Sequence, residues 1–276
     1  MLRADLVRFL RREVYLLRLL LEIGRQWARD KCPQQAASLA FQTALGLVPM
    51  TAVGFALLRA TGALEERSLV VEWLGRLLPT SGERIVEGLL SFADNIRPGA
   101  LGLPGILFTL MLLYVLFDQI EKIWNDIWRV QKRRAFFGKF PVFYTLVTLG
   151  PAAIGAALYY TVRFWGRGAT GTLASLGFTA LFLLLANRML PRVHVHWRAA
   201  ALAAVISTVL MEVGKAAFSL YVSEVLLSRY EGIYGPYGVI PILLIWIYYA
   251  WLAVLFGAEV AYTVQNLEQL TLEDSA

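Results

Sequence analysis

The chain is poor in the residues that carry most enzyme chemistry: its 276 residues include one cysteine and two histidines. Cys32 has no second thiol to pair with, so no internal disulfide staples the fold, and it points to no Cys-based metal site. His194 and His196 lie in a short basic loop with no acidic neighbour in sequence, where a headgroup-facing or helix-joining role is expected over metal ligation. Metal-dependent hydrolases need clustered carboxylates or histidines to hold a cation and activate water. No such cluster, phosphate-binding Gly-rich loop, Gly-x-Ser-x-Gly elbow or Cys/His nucleophile pair occurs in the sequence. The expectation is a protein that is not an enzyme and carries no cofactor. Charged residues are scarce as well, at 17%, and the arginines of the N-terminal segment keep its apolar runs too short for a cleavable signal peptide.

In place of charge there is apolar sequence. Hydrophobic residues make up 58% of the chain, above the roughly 45–50% of ordinary soluble domains. The clearest run, Val239 to Ala258, has no charge and is long enough to cross a hydrocarbon core of about 30 Å as a helix. Pro33–Leu58, Pro98–Phe117, Pro141–Val162 and Gly168–Asn187 are also uncharged over spanning length, and Ala199–Val222 is interrupted only by Glu212 and Lys215. A bilayer interior has no water for unpaired backbone groups, so these runs should be helices. A membrane barrel would instead alternate over segments of about 10 residues. The expected fold is therefore all-α and polytopic, with six transmembrane helices near 36–60, 99–118, 140–163, 170–190, 199–222 and 238–263. They form one membrane domain over 33–265, between an N-terminal segment (1–32) and a short C-terminal tail (266–276).

Lys and Arg outside the spans number 17 on the side holding the N-terminal segment and the loops 118–139 and 188–198, against 8 on the other side. The positive-inside bias places both termini in the cytoplasm of an inner membrane. The net charge of +6 is then explained by topology and by anionic lipid headgroups, and no nucleic-acid partner is expected. Residues 5–31 read as an amphipathic helix, with Arg8, Arg11, Arg18, Glu22, Arg25 and Arg29 on one face and Leu, Val and Phe on the other. Such a helix fits the interfacial plane and equally fits packing on the cytoplasmic end of the bundle. On the opposite side, residues 65–97 read as a helical hairpin on the periplasmic surface; Thr80 and Glu83 have capping-box spacing at its second start.

Ionisable groups inside spans cost about 2.5–3.5 kcal/mol each on insertion scales and usually face a bundle interior or a wet cavity. Thr208, Glu212, Lys215 and Ser219 recur at helical spacing and form one polar stripe, in which Glu212 and Lys215 can neutralise each other. Gln42 lies on a polar face of the first span, and Glu259 lies near the end of the sixth. These six residues are the candidate intramembrane path, either a hydrophilic route or a set of structural pairs. Asp118, Glu121 and Asn125 share a face at the cytoplasmic end of the second span, where they read more readily as solvated residues than as ligands. With Arg192, His194 and His196 they are candidate cytoplasmic-end contacts.

Five strings, in order and spacing, resemble the YihY/BrkB family of bacterial inner-membrane proteins, part of which was long labelled ribonuclease BN. They are AASLAFQTALGLVPM (Ala36–Met50), EKIWNDIW (Glu121–Trp128), LPRVHVHWRAA (Leu190–Ala200), MEVGKAAFSLYV (Met211–Val222) and YGPYGVIPILLIWIYYAWLAVLFGAEVAY (Tyr234–Tyr262). The resemblance implies six membrane helices, in agreement with the count above. Gln42 departs from it, because the family more often has an aromatic pair there. With no nuclease constellation in the residues, the leading expectation is a transporter or facilitator of lipid or another envelope component. The alternative is a noncatalytic scaffold that recruits an envelope protein partner.

Overall fold

The computed structural model describes residues 17–60, 102–130, 169–221 and 239–273. The expected third span and the outer hairpin lie outside the described residues, as does the chain before residue 17. All regular structure among the described residues is helical. The helices are α1 (residues 17–29), α2 (Cys32–Ala60), α3 (Gly102–Ile127), α4 (Ala169–Met189), α5 (Trp197–Tyr221) and α6 (Val239–Glu273).

Helix α6 is the centre of the bundle. It packs most extensively on α5 and α2 and also touches α3 and α4, while α2 packs on α3 and α5 on α4. At 35 residues and 1.5 Å per residue, it is about 50 Å long and outruns a hydrocarbon core of about 30 Å. Its last turns continue past the expected span because Leu267 and Leu270 are buried. Helix α3 likewise runs beyond its expected end near residue 118, to Ile127. The EKIWNDIW string is thus helical, and Glu121 and Asn125, read from sequence as solvated, are each 1% exposed. The reason is the apolar set beside them: Ile123, Trp124, Ile127 and Trp128 enter a core with Leu190, Val195 and Tyr262, and so carry their polar neighbours inside.

Which residues face inward tells a membrane helix from the core helix of a soluble protein. On α5 the buried positions are Ala199, Ala200, Ala203, Ala204, Ser207, Thr208 and Gly214. The exposed ones are Leu202, Val205, Val209, Val213 and Leu220. Small residues inside and branched ones outside suit a helix whose neighbours are other helices on one side and acyl chains on the other. Two helical segments, Trp197–Tyr221 and Leu243–Leu267, are long and apolar enough to cross a membrane.

The α5–α6 seam depends on glycine in two places. A Cβ on Gly214 would collide with the Tyr249 ring, and one on Gly257 would strike the Ser207 hydroxyl and sit 3.1 Å from the Ala203 carbonyl oxygen. Close approach lets Ser207 donate to the Ala253 carbonyl (3.0 Å) and Tyr249 to the Leu210 carbonyl (2.6 Å). Gly257→Leu should therefore lower stability by about 1–3 kcal/mol through overpacking. Gly177→Leu, where a Cβ meets open space, should change it little. Thermal unfolding in detergent checks this, and equal effects at the two positions would refute the close seam.

Candidate functional site

Glu259 lies on α6 with no exposed surface, in a stretch otherwise built of apolar and small residues. Its partners come from the break between α1 and α2. Helix α1 ends where Asp30 N donates to the Gln26 carbonyl (2.9 Å) and Lys31 N to the Ala28 carbonyl (3.2 Å), with Lys31 in the left-handed region at φ 51. Pro33 suits the new start that follows, since the first turn of a helix needs no amide donor there. This break presents Asp30 and Cys32 to α6. The Cys32 thiol donates to Glu259 Oε1 at 3.2 Å, and the Asp30 carboxyl lies close to that of Glu259.

Arg129 closes the cluster from the end of α3. Arg129 N donates to the Asp126 carbonyl (3.1 Å) and Val130 N to the Asn125 carbonyl (2.8 Å), the paired bonds of a Schellman cap. Glycine usually takes the left-handed position of that motif. Arg129 holds it at φ 54, although a side chain in this region costs roughly 1–2 kcal/mol. Its guanidinium is anchored on several sides. Nη1 donates to Asp30 Oδ1 at 2.6 Å, Nη2 to Gln26 Oε1 at 2.6 Å, and the group lies 5.4 Å from the centre of the Tyr262 ring. Gln26 in turn donates to Glu22 (2.6 Å), and Trp128 meets Tyr262 edge-on. The two non-glycine residues with positive φ among those described, Lys31 and Arg129, thus both border this knot, where outside contacts can hold a strained backbone.

Burial, and after it the charge of Glu259 and a hydrogen bond to it, push the Cys32 thiol well above the ordinary thiol range; Asp30 adds to the effect. A thiol with 1% exposure that stays protonated is a poor nucleophile. Here it serves as a hydrogen-bond donor to a carboxylate.

The candidate residues read from sequence fall into three groups. Glu259 joins the knot. Thr208 donates to its own helix at the Ala204 carbonyl (2.7 Å), and Glu212 and Lys215 form an ion pair with each other on partly exposed surface. Ser219 is half-buried, and Gln42 on α2 has a buried Oε1 without a hydrogen-bond donor. Near it Trp251 donates to Thr43 Oγ1 at 3.0 Å. At the end of α3, Asp118 is half-buried, Glu121 and Asn125 are buried, and Asn125 Oδ1 accepts from the backbone of Arg192 at 3.0 Å. Arg192, His194 and His196 are exposed on the α4–α5 connection. Gln265 of α6 holds that connection by accepting from His196 N (2.8 Å) and donating to the His194 carbonyl (3.0 Å). The two histidine rings meet edge-on, 5.6 Å apart. No group of three or more potential metal ligands occurs among the described residues. Gln26, Asp30, Cys32 and Arg129 were missed as site residues because the first three stand far in sequence from both Arg129 and Glu259. The usable signal was Gln26, a polar residue in an otherwise apolar inward face with Ile23.

A helical bundle that turns small residues inward and branched ones outward, with its buried charge gathered at one end, is an integral membrane protein. The chain belongs to the family described as Virulence factor BrkB, whose profile matches residues 23–276. It is 36% identical over 254 residues to a UPF0761 membrane protein of Bordetella petrii, covering 84% of this chain and 54% of that protein. It is 32% identical to a UPF0761 membrane protein of Pseudoalteromonas translucida (87% and 84% covered) and 33% identical to one of Psychromonas ingrahamii (90% and 87% covered). The chain thus spans little more than half the length of the Bordetella relative. No solved structure matches it.

Arg129 is required by its fork as well as by its charge. Arg129→Lys should lower stability by about 1.5–3 kcal/mol, the scale of a hydrogen bond to a charged group, because one ammonium cannot serve Asp30 and Gln26 from the same backbone position. Unfolding of the variant in detergent checks it, and wild-type stability would mean that charge alone suffices. Cys32 should resist maleimide in the folded protein at neutral pH and react once the protein is denatured. Rapid labelling of folded protein would place the thiol outside the knot.

Proposed function

We propose that the chain is a noncatalytic inner-membrane facilitator that moves lipid, or a lipid-linked or polar envelope component, along a polar face of the bundle. The observation that carries this reading is Glu259, a fully buried carboxyl group in a helix of spanning length. Intramembrane ionisable groups are expensive to insert and tend to be retained for function. Around the cytoplasmic end, the exposed Arg192, His194, His196 and Arg198 suit anionic headgroups. Exposed Leu17, Leu20 and Leu21 on α1 suit acyl chains beside them. Both termini lie in the cytoplasm in this reading, and no nucleic acid takes part. A ribonuclease is the least supported reading, since the residues offer no metal or nucleophile constellation.

A second reading, a noncatalytic scaffold with an envelope protein partner, is favoured by the way α5 satisfies its own polar groups. Thr208, Ser207 and the Glu212–Lys215 pair all find partners on α5 or α6. Purified protein reconstituted in liposomes with labelled phospholipid and with small polar solutes separates the two. Facilitation should accelerate movement of at least one probe over protein-free vesicles. No acceleration, together with copurification of a stoichiometric partner, would establish the scaffold.

A further inference from the structure

Asp30, which is half-buried, and Glu259, which is fully buried, bring two carboxyl groups together, and two of their four oxygens have donors. Arg129 donates to Asp30 Oδ1 and the Cys32 thiol to Glu259 Oε1. Asp30 Oδ2 and Glu259 Oε2 are buried and have no donor from the protein, and the two carboxyl groups lie close to each other, beside the Cys32 thiol. Two ionised carboxylates cannot satisfy one another, because each offers only lone pairs and their charges repel.

The charges point the same way. Asp30, Cys32 and Arg129 are the groups that act on Glu259. Farther out, Gln26 is neutral, Glu22 is engaged by Gln26 and lies 3.9 Å from Arg25, and Tyr262 presents its ring to Arg129. Lys31 points to solvent. With both carboxyls ionised, two negative charges, one of them on the fully buried Glu259, would face a single guanidinium that is itself partly exposed to solvent. One proton on the pair makes the cluster neutral and supplies the missing donor, relieving an uncompensated charge of the kind that buried sites do not tolerate.

We propose that Asp30 and Glu259 form a proton-binding site, with one proton shared between Asp30 Oδ2 and Glu259 Oε2, and that this proton latches the α1–α2 junction to α6. The proton comes from solvent and no covalent bond is made or broken in the chain. Like-charge repulsion replaces the hydrogen bond when the proton leaves, so α1 is released from α6 as pH rises. The stabilisation is present while the proton is bound at low pH and lost as pH rises through the point of its release. The site stands apart from the transport reading and holds for a scaffold equally well.

The test uses the purified full chain in lipid nanodiscs, read by infrared spectroscopy and by thermal unfolding across pH. At neutral pH the wild type should give a protonated-carboxyl band that is lost in Glu259→Gln and in Asp30→Asn and kept in Glu121→Gln. Wild-type stability should fall as pH rises, with the same midpoint as the band, and Glu259→Gln, whose amide provides a permanent donor to Asp30, should flatten that dependence. Sodium and choline buffers should give the same curves. Absence of the band, its survival in either knot variant, or a curve shifted by sodium would overturn the proposal, the last by making the ligand a metal cation. Should a variant fail to fold, the coincidence of the band and stability midpoints in the wild type and their indifference to sodium decide the matter.

Discussion

A carboxyl group buried in an apolar helix has to find a donor within reach, and one end of this bundle is organised around how Glu259 finds its own. Its one donor, the Cys32 thiol, comes from a broken helix start, where Asp30 in turn receives Arg129 from a helix cap, and local sequence does not bring these segments together. Each is an irregular piece of backbone. The break at Lys31 separates α1 from α2, and the Schellman cap at Arg129 ends α3. Both would be cheaper with glycine. They persist because the side chains they position are tied on several sides, so the cost of a left-handed residue is offset by charge-assisted hydrogen bonds.

The rest of the bundle obeys a different constraint. Away from that end the α5–α6 seam is made of Ala, Ser and Gly, and contact is close enough for hydroxyls to reach backbone carbonyls across the helices. Without a hydrophobic drive between helices in acyl chains, such close packing is what holds them together. The polar residues here are largely satisfied within α5 and α6. The molecule therefore has an apolar, tightly packed seam and a polar, charge-bearing end, and a functional reading has to begin at that end.

Three of the strings by which the sequence resembles its family also meet there. Trp124 and Asn125 from EKIWNDIW join Asn187 and the backbone of Arg192, the latter within LPRVHVHWRAA. Trp128 packs on Tyr262, which closes the last string. Gln265, just beyond it, pins the histidine-bearing connection. Residues that looked like a solvated loop, Glu121 and Asn125, are interior because Ile123, Trp124, Ile127 and Trp128 beside them take up the core face.

Apolar run length, helical periodicity and local strings were enough for the membrane class, for helix in five of the apolar runs, for the family and for an ionisable group near the end of the last run, while the ends of α3 and α6 fall well beyond what they implied. The sequence also identified Glu212 with Lys215 as a mutual pair, because partners three residues apart on a helix are neighbours wherever the helix goes. What surrounds Glu259 is legible in no local string. Its thiol donor is 227 residues away, and the Arg129 contacts with Asp30 and Gln26 bridge 99 and 103 residues. Periodicity places a residue on a face of its own helix, but which other helix meets that face is set by the packing of α6 against α2 and α3, and that packing depends on contacts across the whole chain.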